Sequence, residues 1–190
     1  MLKDIIQKNV NMKKQVVLPL VLILCFMISC KNREAISEIE KLKEKTEMEE
    51  KNRAIAKQYI EAISKGDFDT MKELLSPNYA IYSPSGYPDP TSREKLIENY
   101  IEARKSFPVF EWIIEDIVAA KDKVICRIII RGIYKGEIPN TPAVERDFEF
   151  SLITIMRFEN GTVIEEWQED DQLGFARQMG MELKPKDSEN

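Results

Sequence analysis

Residues 146–171 read RDFEFSLITIMRFENGTVIEEWQEDD, and this stretch decides the fold class. From Arg146 to Phe158, apolar residues alternate with polar ones, which is the period of a strand with one buried face. Residues 159–161 (Glu-Asn-Gly) predict a tight hairpin turn, because Asn-Gly accepts the positive φ angles that such turns need. Residues 162–171 then predict a second strand, antiparallel to the first.

Two further strands are predicted upstream, at residues 110–119 and 123–134. The second strand is an apolar run that Arg127 and Arg131 interrupt, and we place both arginines on the outer face of the sheet. Cys126 alternates with the apolar residues of the same run, so we expect a buried thiol rather than a nucleophile.

Helical spacing dominates the part of the chain before these strands. Apolar residues recur every three or four positions in residues 52–65 and again in residues 68–75. Gly66 is expected to break the first helix, Asp67 to cap the second, and Pro77 to end it.

The remaining elements are short. A strand is predicted at residues 79–83, followed by a loop at residues 83–91 (SPSGYPDPT) that is rich in turn-forming residues. Thr91 and Glu94 have capping-box spacing and predict the start of a third helix. A closing helix is predicted at residues 173–179. Helices first and a long antiparallel sheet afterwards indicate an α+β domain with a concave interior.

The start of the chain has the parts of an export signal. Lys13 and Lys14 precede an apolar run at residues 16–27, after which Ile28-Ser29-Cys30 follows. The run covers roughly 18 Å, whereas a hydrocarbon core is about 30 Å thick, so a spanning helix is the weaker interpretation. Met12 opens MKKQVV and is an alternative first residue to Met1.

Residues 27–30 (Met-Ile-Ser-Cys) resemble the lipobox of bacterial lipoproteins, with Met27 in place of the usual Leu. The resemblance implies that residues 1–29 are a signal peptide and that Cys30 carries acyl chains such as palmitate. Two or three acyl chains hold a protein firmly on a membrane. We therefore expect a lipid-anchored protein of the bacterial cell envelope. The alternative is cleavage nearby, with Cys30 an ordinary thiol.

Charge divides the rest of the chain and limits its partners. Residues 30–50 are strongly charged and predict a tether, with a short coiled coil as the alternative, before a domain at residues 51–183 and a polar tail at residues 184–190. Removing the four lysines and one aspartate of residues 1–29 from totals of 28 basic and 33 acidic residues leaves 24 and 32, a net charge of −8. This argues against nucleic acid as a partner.

The chain contains no histidine, which limits its chemistry. Ser-His-Asp and Cys-His relays are excluded, as are histidine metal sites. Acid–base chemistry must come from carboxylates, tyrosine or lysine. We predict no cofactor and no metal, because the acidic run near residue 170 lacks the spacing of a calcium loop.

Several short motifs resemble those of the SnoaL-like polyketide cyclases, also called ester cyclases, of the nuclear transport factor 2-like superfamily. The order of the motifs along the chain resembles that family too. They span about residues 50–183, and the most specific is NGTVIEEWQEDDQLG at residues 160–174. The others are Gly66–Asp69, Pro77–Tyr79, Phe107-Pro108, Gly132–Glu137 and Gln178–Gly180. The resemblance implies a cone-shaped α+β barrel, in which a curved antiparallel sheet packs on about three helices, and a cofactor-independent enzyme acting on a small carbonyl-containing or polyketide-like molecule.

The resemblance also implies site residues. In these cyclases an aspartate near the end of the last strand is the general acid/base, and Asp171 matches that position, four residues after Trp167. We expect Trp167 to share a strand face with Asp171 as a wall of the substrate pocket, which would strip water from the carboxylate and favour its protonated form. The family usually carries histidine where this chain has Tyr82 and Tyr134, so these tyrosines are predicted to line the pocket and hydrogen-bond the substrate.

Three functions stay open at this point. The first is a membrane-anchored enzyme that performs carboxylate-assisted proton transfer. The second is a non-catalytic lipoprotein that holds a small apolar ligand in the same cone. The third is a surface assembly protein whose sheet forms a homodimer.

Overall fold

The computed structural model describes the backbone of residues 2–135 and 145–181, and the side chains of residues 33, 34, 36–135 and 145–181. The chain divides into two compact units, Met1–Thr46 and Glu47–Asn190. The predicted boundaries after residues 29, 50 and 183 stay predictions.

The first helix, α1, is continuous from Leu2 to Lys65. It runs without a break through the predicted signal, tether and first domain helix. Three apolar residues of the predicted tether, Ile36, Ile39 and Leu42, are exposed. Among the residues that the structure describes, no helix carries an apolar stretch long enough to cross a membrane. The side chain of Cys30 lies outside the described ones, so its lipidation stays a prediction.

The turn between the first two helices follows the predicted pattern. Gly66 adopts a positive φ of 69°, and α2 runs over Phe68–Leu74. Asp67 caps α2, because its carboxylate accepts hydrogen bonds from the backbone N–H of Thr70 at 3.1 Å and from the Thr70 hydroxyl at 2.7 Å. The prediction of this cap is confirmed.

The expected end of α2 at Pro77 is wrong, because the first strand, β1, already begins at Leu75 and runs to Tyr82. Leu75 adopts an extended conformation and pairs with Val163 of the last strand. Pro77 falls in an irregularity of that pairing, between Leu75 and Ala80, where its missing N–H interrupts no ladder.

The third helix, α3, covers Arg93–Ser106. Its cap is Ser92 rather than the predicted Thr91, since the Ser92 hydroxyl accepts from the Lys95 N–H at 3.3 Å. Thr91 belongs to a two-residue strand, β2, at Thr91–Ser92 and pairs with Ile81. The helix therefore begins one residue later than expected.

Four long strands and a short helix complete the domain, and the sheet order is β2-β1-β6-β5-β4-β3. Neighbouring strands are antiparallel except β1 and β6, which are parallel. The α+β class predicted from the sequence is confirmed. The elements are β3 (Val109–Ala120), β4 (Lys123–Tyr134), β5 (Arg146–Glu159), β6 (Thr162–Asp170) and α4 (Gln172–Gln178).

The β5–β6 hairpin contains a feature that decides where the later side chains point. Its turn is the predicted one, with Asn160 and Gly161 at φ angles of 50° and 80°. Arg157 then pairs with Glu165, whereas Phe158 pairs with Val163, so Ile164 is an extra, unpaired residue. This β-bulge reverses the in–out alternation of β6 beyond Ile164.

The two faces of the sheet differ sharply. The interior face packs against the helices, and on β4 it consists of buried apolar residues, including the fully buried Cys126, as expected. The outer face carries the exposed Arg127 and Arg131, also as expected. Arg127 forms an ion pair with Glu115. Arg131 forms one with Glu111, in which Nε and Oε2 are 2.9 Å apart.

Candidate functional site

Three polar residues of β6 lie on the interior face of the sheet: Glu166, Gln168 and Asp170. They are two residues apart and therefore share one strand face. Each also stands opposite a buried residue of β5, and cross-strand partners share a face. The partners, in the same order, are Met156, Thr154 and Leu152.

Glu166 is fully buried and has four hydrogen-bond donors. Its Oε2 accepts from the hydroxyls of Tyr79 at 2.5 Å and Tyr59 at 3.2 Å. Its Oε1 accepts from the Thr154 hydroxyl and the Gln168 amide, both at 2.7 Å. A carboxylate offers about four acceptor positions, so this group is saturated and its burial is compensated.

The tyrosines around this carboxylate are held as neutral phenols. Burial, followed by the negative charge of Glu166, raises the pKa of Tyr59 and of Tyr79 well above the usual value. Burial also raises the pKa of Tyr100, on α3, with further contributions from Glu166 and Asp170. All three hydroxyls therefore stay hydrogen-bond donors throughout the neutral pH range.

Tyr100 and Asp170 differ from this saturated core because both are only partly buried. In the described part of the chain, the Tyr100 hydroxyl makes no hydrogen bond, and Asp170 accepts one, from the Gln172 amide at 3.1 Å. Both groups lie on the interior side of the sheet, because Tyr100 contacts the buried Trp112 and Asp170 stands opposite the buried Leu152. This pair can therefore offer a base and a donor to a third molecule.

Aromatic side chains pack on the same interior side of the sheet. Phe150 lies two residues before the cross-strand partner of Asp170, on the same face of β5. We call the half-buried aromatic set of this region the aromatic rim; its members are Tyr100, Phe107, Phe110, Phe150 and Phe175. The buried Trp112 packs in T-shaped geometry against Tyr100 and against Phe110, with ring centroids 6.1 Å apart in both contacts. An apolar ring would find complementary contacts here.

Asp171, the predicted catalytic residue, lies outside this arrangement. It follows the end of β6, is exposed, and caps α4 by accepting a hydrogen bond from the Gly174 N–H at 2.8 Å. A side chain at Gly174 would collide with this carboxylate, so the glycine suits the cap. The expectation that Asp171 shares a strand face with Trp167 is wrong, because the strand ends at Asp170.

Trp167 and Tyr82 lie on the outer face of the sheet instead of lining its interior. Their rings are stacked, with centroids 6.2 Å apart and planes within 9°, and the Lys123 ammonium lies 5.5 Å from the Trp167 ring. Tyr134 is on the interior face, where its ring packs against that of Phe107 with centroids 5.1 Å apart. The predicted site residues therefore do not converge on one pocket, contrary to the expectation.

The sequence interpretation missed Glu166, Asp170 and Tyr100. One feature of the sequence pointed to a buried polar group. Thr154 stands among apolar residues on the buried face of β5 and needs a polar partner there. Nothing comparable marks the bulge at Ile164, and assuming regular alternation assigns each residue of β6 beyond Ile164 to the wrong face.

An open groove of about 420 Å³ lies elsewhere, where β3, β4 and β5 meet α4. Its lining includes the outward-facing Glu111, Arg131 and Glu149, with Gln178 from α4. It contains none of the predicted site residues. Among the described residues, no cluster of cysteine and carboxylate side chains is arranged to hold a metal ion.

Comparison with known proteins agrees with this architecture. Residues 53–179 match the family model of the SnoaL-like polyketide cyclases. No curated protein matches the sequence at a significant level.

Solved structures of similar fold include IdmH from Streptomyces antibioticus, a candidate polyketide cyclase. It has 26% identity and a TM-score of 0.62 over 68% of this chain and 99% of IdmH. A candidate polyketide cyclase from Acidithiobacillus ferrooxidans has 22% identity and a TM-score of 0.61, over 68% of this chain and 94% of its own. A SnoaL-like polyketide cyclase from Agrobacterium tumefaciens has 17% identity and a TM-score of 0.55, over 66% and 95%.

Proposed function

Since this chain belongs to the SnoaL-like polyketide cyclase family, we propose that its domain performs cofactor-independent proton transfer on a small carbonyl compound, with Asp170 as the acid/base. The observation that carries the proposal is the position of Asp170, which lies partly buried on the interior face, opposite the buried Leu152, and keeps acceptor positions free of donors from the described residues. Asp171 takes no part in this scheme, because its carboxylate is engaged in capping α4.

The proposed step uses two groups of the protein. The Asp170 carboxylate removes a proton from a carbon flanked by carbonyl groups, and the electron pair of that C–H bond forms an enolate. The Tyr100 hydroxyl donates a hydrogen bond to the enolate oxygen, where negative charge develops. The enolate carbon then attacks a second carbonyl of the same molecule, the ring closes, and Asp170 returns its proton to the new alkoxide.

Glu166 is unsuited to the role of the base, although it lies on the same face. Its four acceptor positions are filled by protein donors, and its side chain is fully buried. Asp170 keeps acceptor positions free and stands diagonally across from Phe150 of the aromatic rim. The two carboxylates thus divide into a fixed structural group and an available one.

The test is deuterium exchange at the central carbon of a β-diketone in D₂O, followed by proton NMR. We expect the full chain to accelerate exchange and Asp170→Asn to lower the rate by about 10²–10⁴-fold, the usual contribution of a general base. Binding without acceleration would instead favour a ligand-holding lipoprotein. Exchange at the wild-type rate in Asp170→Asn would remove Asp170 as the base.

The proposal includes a membrane anchor on Cys30. It is supported by the basic start, the apolar run and the cysteine at its end. The acyl chains would hold the enzyme at the surface of a membrane of the cell envelope, where apolar substrates concentrate.

The outer face of the sheet favours a homodimer as a further property. One row of paired residues crosses five strands on this face, and Val118 and Ile125 in it are 51% and 41% exposed. The full row is Tyr82, Trp167, Ile155, Ile125 and Val118.

Sedimentation should give a dimer for the wild type and for the control Glu98→Lys on α3, and a monomer for Ile125→Lys. A wild-type monomer would refute the homodimer.

A further inference from the structure

We infer that the ligand of the interior face donates a hydrogen bond to Oε1 of Gln168, so that Gln168 selects carbonyl compounds that also carry a hydroxyl or amide N–H group. This inference rests on the proposed function and narrows its substrate class. It assigns a specificity-determining role to Gln168 and a positioning role to Glu166.

The orientation of the Gln168 amide is determined by Glu166. The Nε2 of Gln168 donates to Oε1 of Glu166 at 2.7 Å. The reverse orientation would place the amide oxygen against a carboxylate oxygen, and two acceptors repel each other. Glu166 cannot turn away, because its other three donors come from separate elements: α1, β1 and β5. The orientation of the Gln168 amide is therefore fixed.

The Oε1 atom of this amide is an acceptor without a protein partner among the described residues. The residue is only 7% exposed, and within the described residues its Oε1 accepts no hydrogen bond but keeps access to solvent, so it is open to a ligand. A ligand that displaces solvent from this oxygen must supply a donor in its place, whereas a ligand that presents a second acceptor leaves the oxygen without a hydrogen bond and is disfavoured.

The polar groups nearby divide the interior face into an accepting side and a donating side. Gln168 and Asp170 on β6 both accept. On α3 and on β3, which is separated from β6 by two strands, Tyr100 has a neutral hydroxyl, and the buried Nε1 of Trp112 is a donor with no partner in the described part of the chain. A hydroxylated carbonyl compound matches both sides, with its O–H toward Gln168 and its carbonyl oxygen toward Tyr100.

The experiment compares matched probes by isothermal titration calorimetry on the full chain. The probes are the ortho, meta and para hydroxyphenyl β-diketones, each paired with its methoxyphenyl counterpart, which lacks the donor. We expect at least one hydroxyl probe to bind about ten-fold more tightly than its methoxy partner, as loss of one buried hydrogen bond implies.

Two variants assign this preference to Gln168. Gln168→Leu keeps the approximate size of the side chain and removes the acceptor, so it should bind the two members of a pair equally. The control is Glu165→Gln, which changes a neighbouring carboxylate on the outer face. It should keep the full preference for the hydroxyl probe. Circular dichroism confirms that each variant is folded.

The outcomes separate this inference from the proposed function. Equal binding of every wild-type pair, or a preference that survives in a folded Gln168→Leu, overturns the role of Gln168, while Asp170-dependent exchange would leave the proposed function standing. Failure of all the probes to bind and to exchange overturns both.

Discussion

The hydroxyl of Tyr79 donates a 2.5 Å hydrogen bond to Oε2 of Glu166 at the centre of the domain. This contact joins β1 to β6, the parallel pair of the sheet. Both side chains are buried, so the bond is protected from water, and its loss leaves a carboxylate acceptor unfilled.

Tyr79→Phe should therefore destabilise the domain. Removing a hydrogen bond to a carboxylate costs about 1.5–3 kcal/mol, and the ring itself keeps its packing. Urea denaturation followed by circular dichroism measures the free energy of unfolding.

Tyr82→Phe is the matched control for this change. It removes a hydroxyl from the same strand, but on the outer face, where among the described residues that hydroxyl makes no hydrogen bond. Its free energy of unfolding should equal that of the wild type within about 0.5 kcal/mol. Equal losses in both variants would contradict the assigned network.

Cys126 should resist alkylation in the folded protein. Burial, with the nearby charges of Glu166 and Asp116, raises the pKa of this thiol to about 12. The thiolate is the reactive form, so at pH 8 the folded chain should not react with iodoacetamide at Cys126, whereas the urea-unfolded chain should react fully. Peptide mass spectrometry separates this site from Cys25 and Cys30. Equally fast labelling in both states would contradict the burial.

Cys30 should carry the lipid anchor in bacterial cells. The mature wild-type chain should begin at Cys30 with added diacylglycerol mass and should sediment with membranes. Cys30→Ser should lose that mass and either stay uncleaved or become soluble. Cys126→Ser, which leaves the lipobox intact, should keep the modification. An unmodified Cys30 on a membrane-bound wild-type chain would refute lipidation.

Much of the fold follows from local patterns. The apolar run of β4 predicted its bounds correctly, and Asn160-Gly161 predicted the hairpin turn, because each depends on neighbouring residues alone. Gly66 and Asp67 likewise determine the start of α2 by backbone freedom and capping.

The site was harder to predict, because it depends on pairing between distant strands. Residues 162–164 (Thr-Val-Ile) are all good strand formers, and no glycine or proline marks the extra residue. The bulge is set by the pairing of Val163 with Phe158 on one side and Leu75 on the other. One extra residue exchanges the faces, so Glu166 and Asp170 point inward and Trp167 points outward.

The comparison of Asp170→Asn with Asp171→Asn tests the central claim most directly. Asparagine caps helices about as well as aspartate, so Asp171→Asn should keep α4 intact and leave β-diketone deuterium exchange within about two-fold of the wild-type rate. Asp170→Asn should lose about a hundred-fold or more, because the base is gone. The reverse result, with the loss in Asp171→Asn and normal exchange in Asp170→Asn, would contradict the account.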